Sequence, residues 1–155
     1  MGSDSTEKRP YVPPRVLALS FAEKLASPST NTRPTLILAE DHPEVADYLV
    51  GILKDHFDIV AIVADGDILV ELVSQWKPDA IVSDVGLKGL NGIAATIKIR
   101  QHDPDVPIVL VTASPDPDVR IEGLAAGASA FLSKSEGALT LVALLRHFLE
   151  RANPS

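Results

Sequence analysis

Four short apolar runs in this chain are each followed at once by a polar group able to do chemistry. Leu36-Ile37-Leu38-Ala39 leads into Glu40-Asp41, and Ala80-Ile81-Val82-Ser83 leads into Asp84. Pro107 to Val111 leads into Thr112, and Ala130-Phe131-Leu132 leads into Ser133-Lys134-Ser135. If the four runs lie side by side, three carboxylates, a hydroxyl and an ammonium share one edge. Carboxylates held close raise one another's pKa unless a cation neutralises them. Oxygen ligation with few protein ligands and room for water suits Mg²⁺. Such an ion draws in phosphoryl oxygens, so the group suits phosphoryl chemistry. One aspartate could then act as nucleophile and carry the phosphoryl group covalently. The lysine would balance anionic charge, and the threonine hydroxyl would donate to a phosphoryl oxygen. Loops carry polar residues in general, which accounts for any one of these groups but poorly for all four run ends together.

Something must hold those ends in line. Ile59 to Ala64 is a fifth apolar run of strand length. Between the runs the apolar spacing turns helical. Pro43 to His56 places Val45, Ala46, Leu49, Val50, Ile52 and Leu53 at helical intervals, with Pro43 suited to a first helical position. Ile68, Leu69, Leu72, Val73 and Trp76 form a second stripe, stopped near Pro78. Gly92 to His102 is a third helix, with Ile93, Ala94 and Ile97 on one face, and Val119 to Ala126 a fourth. Ala138 to Arg151 is the last, carrying Leu141, Leu144, Leu145, Phe148 and Leu149. Strands apolar throughout, alternating with helices, predict a five-stranded parallel sheet covered on both faces. Right-handed crossovers make it a doubly wound α/β fold, with ligands at the carboxyl ends of the strands.

Residues 1–33 read differently, as a tail and linker with Pro10, Pro13, Pro14 and Pro28. Val16, Leu17, Leu19, Phe21 and Leu25 could still form a short helix near 15–26, docked on the domain or on a partner. Residues 34–151 are then the domain and 152–155 a tail. The charge is divided too. Residues 1–33 carry five basic and three acidic side chains, and residues 34–155 carry nine basic and eighteen acidic ones. So acidic a domain repels phosphate backbones, which argues against direct nucleic-acid binding. There are no cysteines, which excludes disulfides, thiolate catalysis and a thiolate zinc site, and fits a reducing compartment. No apolar run reaches the roughly 18 residues of a membrane span. The expectation is a cytoplasmic protein. Met1-Gly2-Ser3-Asp4-Ser5-Thr6 fits a myristoylation pattern short enough to recur by chance.

Taken in order, these pieces resemble a response-regulator receiver domain over Pro34–Arg151. The resemblance rests on Leu36-Ile37-Leu38-Ala39-Glu40-Asp41-His42, Ile81-Val82-Ser83-Asp84-Val85-Gly86-Leu87, Gly89-Leu90-Asn91-Gly92, Val111-Thr112-Ala113 and Gly127-Ala128-Ser129-Ala130-Phe131-Leu132-Ser133-Lys134. Asp41 and Asp84, Asp84 and Thr112, and Thr112 and Lys134 lie 43, 28 and 22 residues apart, which makes the set specific. The resemblance implies the flavodoxin-like (βα)5 receiver fold of two-component signalling. It implies that Asp84 is the phosphoacceptor. Mg²⁺ would be held by Asp41, Asp84 and the Gly86 backbone carbonyl, with Glu40 acting through water. Thr112 matches the switch hydroxyl, Phe131 the switch aromatic that moves inward, and Lys134 the lysine that pairs with a phosphoryl oxygen. The implied donor is a histidine kinase or a histidine phosphotransfer protein. The implied output is a downstream protein or a homodimer, met through the face of the fourth helix, fifth strand and last helix. Such a domain is a regulatory switch rather than an enzyme with a turnover substrate. It is expected to stand alone or to lack its output domain.

Two positions depart from the family pattern. Lys88 stands where a proline is usual, bringing an extra ammonium near the site, and Ser135 replaces the usual proline after the lysine. Gly86 and Ser114, both small, stand where the family tunes hydrolysis, and they predict a phosphorylated lifetime of minutes rather than days. The alternative reading is a pseudo-receiver that binds or dimerises constitutively. A doubly wound cofactor enzyme is a third, but no Gly-x-Gly-x-x-Gly, P-loop or Gly-x-Ser-x-Gly elbow occurs. His42, His56, His102 and His147 lack metal-ligand spacing and read as structural or solvated, although His42 sits beside the acidic pair. Trp76 reads as core.

Overall fold

The computed structural model describes residues 33–113 and 116–152. The segment expected to be helical near 15–26, Ser114 and the tail beyond 152 lie outside the described residues. Within them the chain alternates strand and helix without exception. The strands are β1 (Thr35–Ala39), β2 (Asp58–Val63), β3 (Ala80–Asp84), β4 (Ile108–Thr112) and β5 (Ala130–Ser133). The helices are α1 (Pro43–Leu53), α2 (Gly66–Trp76), α3 (Gly92–His102), α4 (Pro117–Ala125) and α5 (Ala138–Ala152), with one 3-10 turn at Lys134–Glu136.

All strands are parallel, in the order β2-β1-β3-β4-β5. That is the doubly wound α/β sheet expected. β1 and β3, not consecutive in sequence, lie side by side at the point where the winding reverses, where such sheets bind ligands. The sheet is buried on both faces because its strands carry apolar residues at nearly every position. One face packs Leu36, Leu38, Val82, Val109 and Leu132 against α1 and α5. The other packs Ile37, Ala39, Ile81, Ile108 and Leu110 against α2, α3 and α4. A register shift opposite Leu36 and Ile37 lets β2 send Ile59 and Ile62 to the first face and Val60 and Ala61 to the second.

Helix starts follow capping chemistry more closely than apolar spacing. α2 begins two residues before Ile68 because the Asp65 side chain accepts from Asp67 N at 2.8 Å. α4 begins at Pro117, where Asp116 caps Asp118 N at 2.9 Å. Two expectations need correction. Trp76 is not core: it ends α2 and is 39% exposed, because Leu69, Leu72 and Val73 already fill that helix's contact with the sheet. α3 buries Gly92, Ala95, Thr96 and Ile99 rather than the Ile93/Ile97 side, leaving Ile97 exposed. α3 packs against α2 as well as β4, and small residues permit that close approach. The buried Thr96 hydroxyl donates to Gly92 O at 2.9 Å.

Candidate functional site

Register brings the carboxyl ends together. Ala39 pairs with Ser83, so the next residues, Glu40 and Asp84, emerge side by side from β1 and β3. Asp84 pairs with Val111, and Thr112 pairs with Ser133, which places Thr112 one strand and Lys134 two strands further along the same edge. Each position is locally held. Ser83 Oγ donates to Asp84 O at 2.9 Å, Val85 N donates to Val111 O at 2.9 Å, and Gly92 N donates to Val85 O at 2.8 Å. Those bonds turn the chain sharply after β3. A Cβ at position 92 would lie 2.3 Å from Asp84 O, so only glycine permits this turn. Lys134 opens a turn fixed by a capping box. Ser133 Oγ accepts from Ser135 N at 3.3 Å, and Glu136 Oε2 accepts from Ser133 N at 3.0 Å.

The side chains converge. Lys134 Nζ lies 2.9 Å from Glu40 Oε1 and 3.4 Å from Asp84 Oδ1, bridging the two carboxylates. Glu40, Asp41, His42 and Asp84 form a group whose ligand atoms all lie within 4.8 Å of one another. His42 Nδ1 is 3.0 Å from Asp41 Oδ1 and 3.1 Å from Glu40 Oε2. His42, read from the sequence as structural or solvated beside the acidic pair, is largely exposed and contacts both carboxylates. Adjacency to Glu40-Asp41 was the available signal, and the turn into α1 folds its ring back over both carboxylates.

Burial makes the group electrostatically costly. Glu40 and Asp84 are buried, and Asp41 nearly so. Desolvation by burial, with the Glu40 charge added, holds the Asp84 carboxyl above the ordinary carboxylate range, against the pull of Lys134 and the Gly86 N–H. Burial alone would lower Lys134, but contact with Glu40 and the charges of Asp84 and Glu40 outweigh it and raise its pKa. Among the described residues, Glu40 Oε1 is buried with the Lys134 ammonium at 2.9 Å as its one contact, and Asp41 Oδ1 is buried with only the His42 ring nitrogen at 3.0 Å, in poor hydrogen-bond geometry. Buried carboxylate oxygens short of donors are what a hard divalent cation requires. The cluster has the donor set to hold one.

The remaining expected residues take distinct places. Gly86 is exposed at the rim, where a Cβ would sit 3.8 Å from Asp84 Oδ2. Thr112 is buried at the end of β4. Phe131 is not at the edge but in the opposite apolar layer, buried beside Leu110 and against Gly123 of α4. Lys88 is exposed, and its backbone ties to the β2–α2 turn: Lys88 N donates to Ala64 O at 3.3 Å and Gly66 N donates to Lys88 O at 3.2 Å. A proline there would lack the first of these donors. No cis peptide occurs among the described residues.

Comparison with known proteins agrees with this geometry. The model of the response regulator receiver domain family matches residues 36–146. The chain is 30% identical over 127 residues to the transcriptional regulatory protein BaeR of Escherichia coli O6:H1, covering 82% of this chain and 52% of that protein. It is 32% identical over 121 residues to the transcriptional regulatory protein PrrA of Mycobacterium tuberculosis, covering 77% of this chain and 52% of that one. The chain thus spans about half the length of the curated relatives it matches. Among solved structures it is similar to the BeF3-activated N-terminal receiver domain of RstA from Klebsiella pneumoniae, with a TM-score of 0.69, 31% identity and coverage of 74% and 97% of the two chains. A two-component response regulator of the LuxR family from Aurantimonas gives a TM-score of 0.72 at 29% identity, covering 76% and 86%. By fold, by the acidic cluster at the switch point and by these likenesses, the chain belongs to the response regulator receiver domains, the regulatory phosphoacceptor modules of two-component signalling.

Proposed function

We propose that Asp84 is the phosphoacceptor of this domain and that its donor is the phosphohistidine of a histidine kinase or histidine phosphotransfer protein. One Asp84 carboxylate oxygen attacks phosphorus, the N–P bond of the donor breaks, and the imidazole leaves with a proton from solvent. The observation that carries the reading is Lys134 Nζ set between the buried carboxylates of Glu40 and Asp84, at 2.9 and 3.4 Å, with Asp41 and His42 in the same cluster.

Asp41, Asp84 and the Gly86 carbonyl would hold Mg²⁺, with Glu40 reached through water and His42 orienting Asp41 and Glu40. The ion, when bound, offsets the negative charge that builds up as phosphoryl and carboxylate oxygens meet. Lys134 then has a phosphoryl oxygen to pair with in place of Asp84 Oδ1, and Thr112, at the end of the neighbouring strand, supplies a hydroxyl donor. Charge-assisted hydrogen bonds contribute about 1.5–3 kcal/mol each, enough to bias a two-state element. Phe131 is already buried here, so the switch proposed for it is a change in how the ring packs between Leu110 and Gly123. Arg120 Nη1 donates to Phe131 O at 3.2 Å, which ties that repacking to α4. The face of α4, β5 and α5 exposes Ile121 and Leu139, at 64% and 77%, and is the proposed output surface for a protein partner or second copy.

The test is direct. Incubated with Mg²⁺ and acetyl phosphate, the protein is expected to gain one phosphoryl group by intact mass, and Asp84→Asn to gain none. Absence of any adduct from small donors and kinases alike would favour the constitutive binding module. The adduct is expected to decay in minutes, because Gly86 places no side chain over the acceptor. An adduct stable overnight would contradict that, and Gly86→Leu is expected to lengthen the lifetime.

A further inference from the structure

A groove of 310 Å³ opens between α1 and α5, beside the acidic cluster but separate from it. Val45, Tyr48 and Leu49 of α1 face Ala138 and Leu141 of α5 across a floor that includes Leu132. Tyr48 is 61% exposed, a large apolar ring beside an open slot. Glu44 and Lys134 close the end nearest Asp84. Nothing among the described residues fills this space, although the walls and floor are apolar.

We propose that residues 15–26 of this same chain fill it, seating Leu17, Phe21 and Leu25 between α1 and α5. Those three residues recur every four positions, the spacing by which a helix lays one apolar stripe into a groove. The chain reaches. Arg33 Nη1 donates to Lys54 O, which anchors the start of the described chain at the carboxyl end of α1. From Lys54 back to Val45 is about 14 Å of helix. Residues 26–32 can span about 23 Å when extended. The charges agree: α1 carries Glu44 and Asp47 and no basic residue, while residues 15–26 carry Arg15 and Lys24 with Glu23 alone opposing. A segment tethered this closely acts at an effective concentration on the order of millimolar, so a shallow groove suffices to hold it. The docking is independent of whether Asp84 is ever phosphorylated.

The test compares the full chain with its Leu17→Asp/Phe21→Asp double variant by methyl NMR at two protein concentrations. Both substitutions lie outside the described domain. The methyl resonances of Val45, Leu49 and Leu141 are expected to shift, and those of Ile97 and Ile121, on α3 and α4, to stay. Unshifted groove methyls would overturn the proposal, and so would shifts that depend on protein concentration, which point to a second copy in the groove. The natural chain has no cysteine, which permits a second measurement. Under mild oxidation, Ser20→Cys with Tyr48→Cys is expected to close a disulfide within one chain roughly ten-fold faster than Ser20→Cys with Gln101→Cys. Equal rates, or disulfides only between chains, would overturn the proposal. Acetyl phosphate labelling of Asp84 is scored separately, so a failed docking test leaves the phosphoacceptor reading standing, and the reverse.

Discussion

Asp84 sits where an ionised carboxylate is least favourable, buried, beside Glu40, with one ammonium shared between them. Its carboxyl is raised above the ordinary range by burial first and by the Glu40 charge second. Between its unfolded and folded pKa values the native state holds more protons than the unfolded one. The contribution of Asp84 to stability is therefore greatest below that window and is lost as pH rises through it. Without divalent ions, Asp84→Asn is expected to stabilise the protein at neutral pH, with the gain vanishing in acid. Urea unfolding at several pH values measures this, and a destabilised variant at neutral pH would contradict it. Lys134 follows the same sign in a higher pH window. Its raised pKa means that its stabilisation is present at neutral pH and is lost only as pH climbs past the ordinary lysine range. Lys134→Ala removes the ammonium shared by two buried carboxylates and is expected to cost about 1–3 kcal/mol by the same assay.

At the scale of elements, the site depends on two tight turns. After β3 the chain must pass within contact distance of its own Asp84 carbonyl, where a Cβ at position 92 would stand 2.3 Å away. Gly92→Ala is expected to destabilise by about 1–3 kcal/mol through overpacking, and to slow acetyl phosphate labelling because it displaces the backbone that carries Asp84. After β5 the capping box of Ser133 and Glu136 aims Lys134 back across the strand ends. Glu136→Ala is expected to cost about 1 kcal/mol of stability. It should also slow labelling of Asp84, which an equally destabilising change far from the turn would not do. Phe131 is positioned the same way, by contact with its neighbours. Its ring lies so close to α4 that a Cβ at position 123 would sit 2.9 Å from it. Gly123→Ala is expected to force the ring to move without touching Asp84, which separates labelling, unchanged, from any response of the α4 face.

For the whole molecule, the surplus of acidic over basic side chains in residues 34–155 makes cation binding and folding one linked equilibrium. At 100 times its dissociation constant, a divalent ion that binds only the folded state adds about 2.7 kcal/mol. Mg²⁺ is expected to raise the unfolding midpoint of the wild-type protein, a chelator to reverse it, and Asp84→Asn to blunt it. No helix among the described residues is long and apolar enough to cross a membrane. The sheet order β2-β1-β3-β4-β5 brings all of this to one edge, since it seats β1 beside β3 at the reversal of the winding.

Strand and helix order, the parallel sheet and the convergence of Glu40, Asp41, Asp84 and Lys134 were legible in the residues alone. Short uninterrupted apolar runs alternating with helical stripes read as strands buried on both faces, and parallel strands must present their carboxyl ends on one side. Three matters were not legible that way. The ring of His42 folds over the carboxylates because of the turn into α1, which no spacing encodes. Ile97 and Trp76 are exposed although they lie on apolar helical stripes, because α2 and α3 meet each other as well as the sheet and leave no room for every apolar side chain. Phe131 packs against α4 because the absence of a side chain at Gly123, eight residues earlier, opens the slot its ring occupies. Periodicity reports which face of an element is apolar. Which neighbour covers that face, and how closely, is settled by contacts between elements distant in the chain, and those exist only once the sheet has formed.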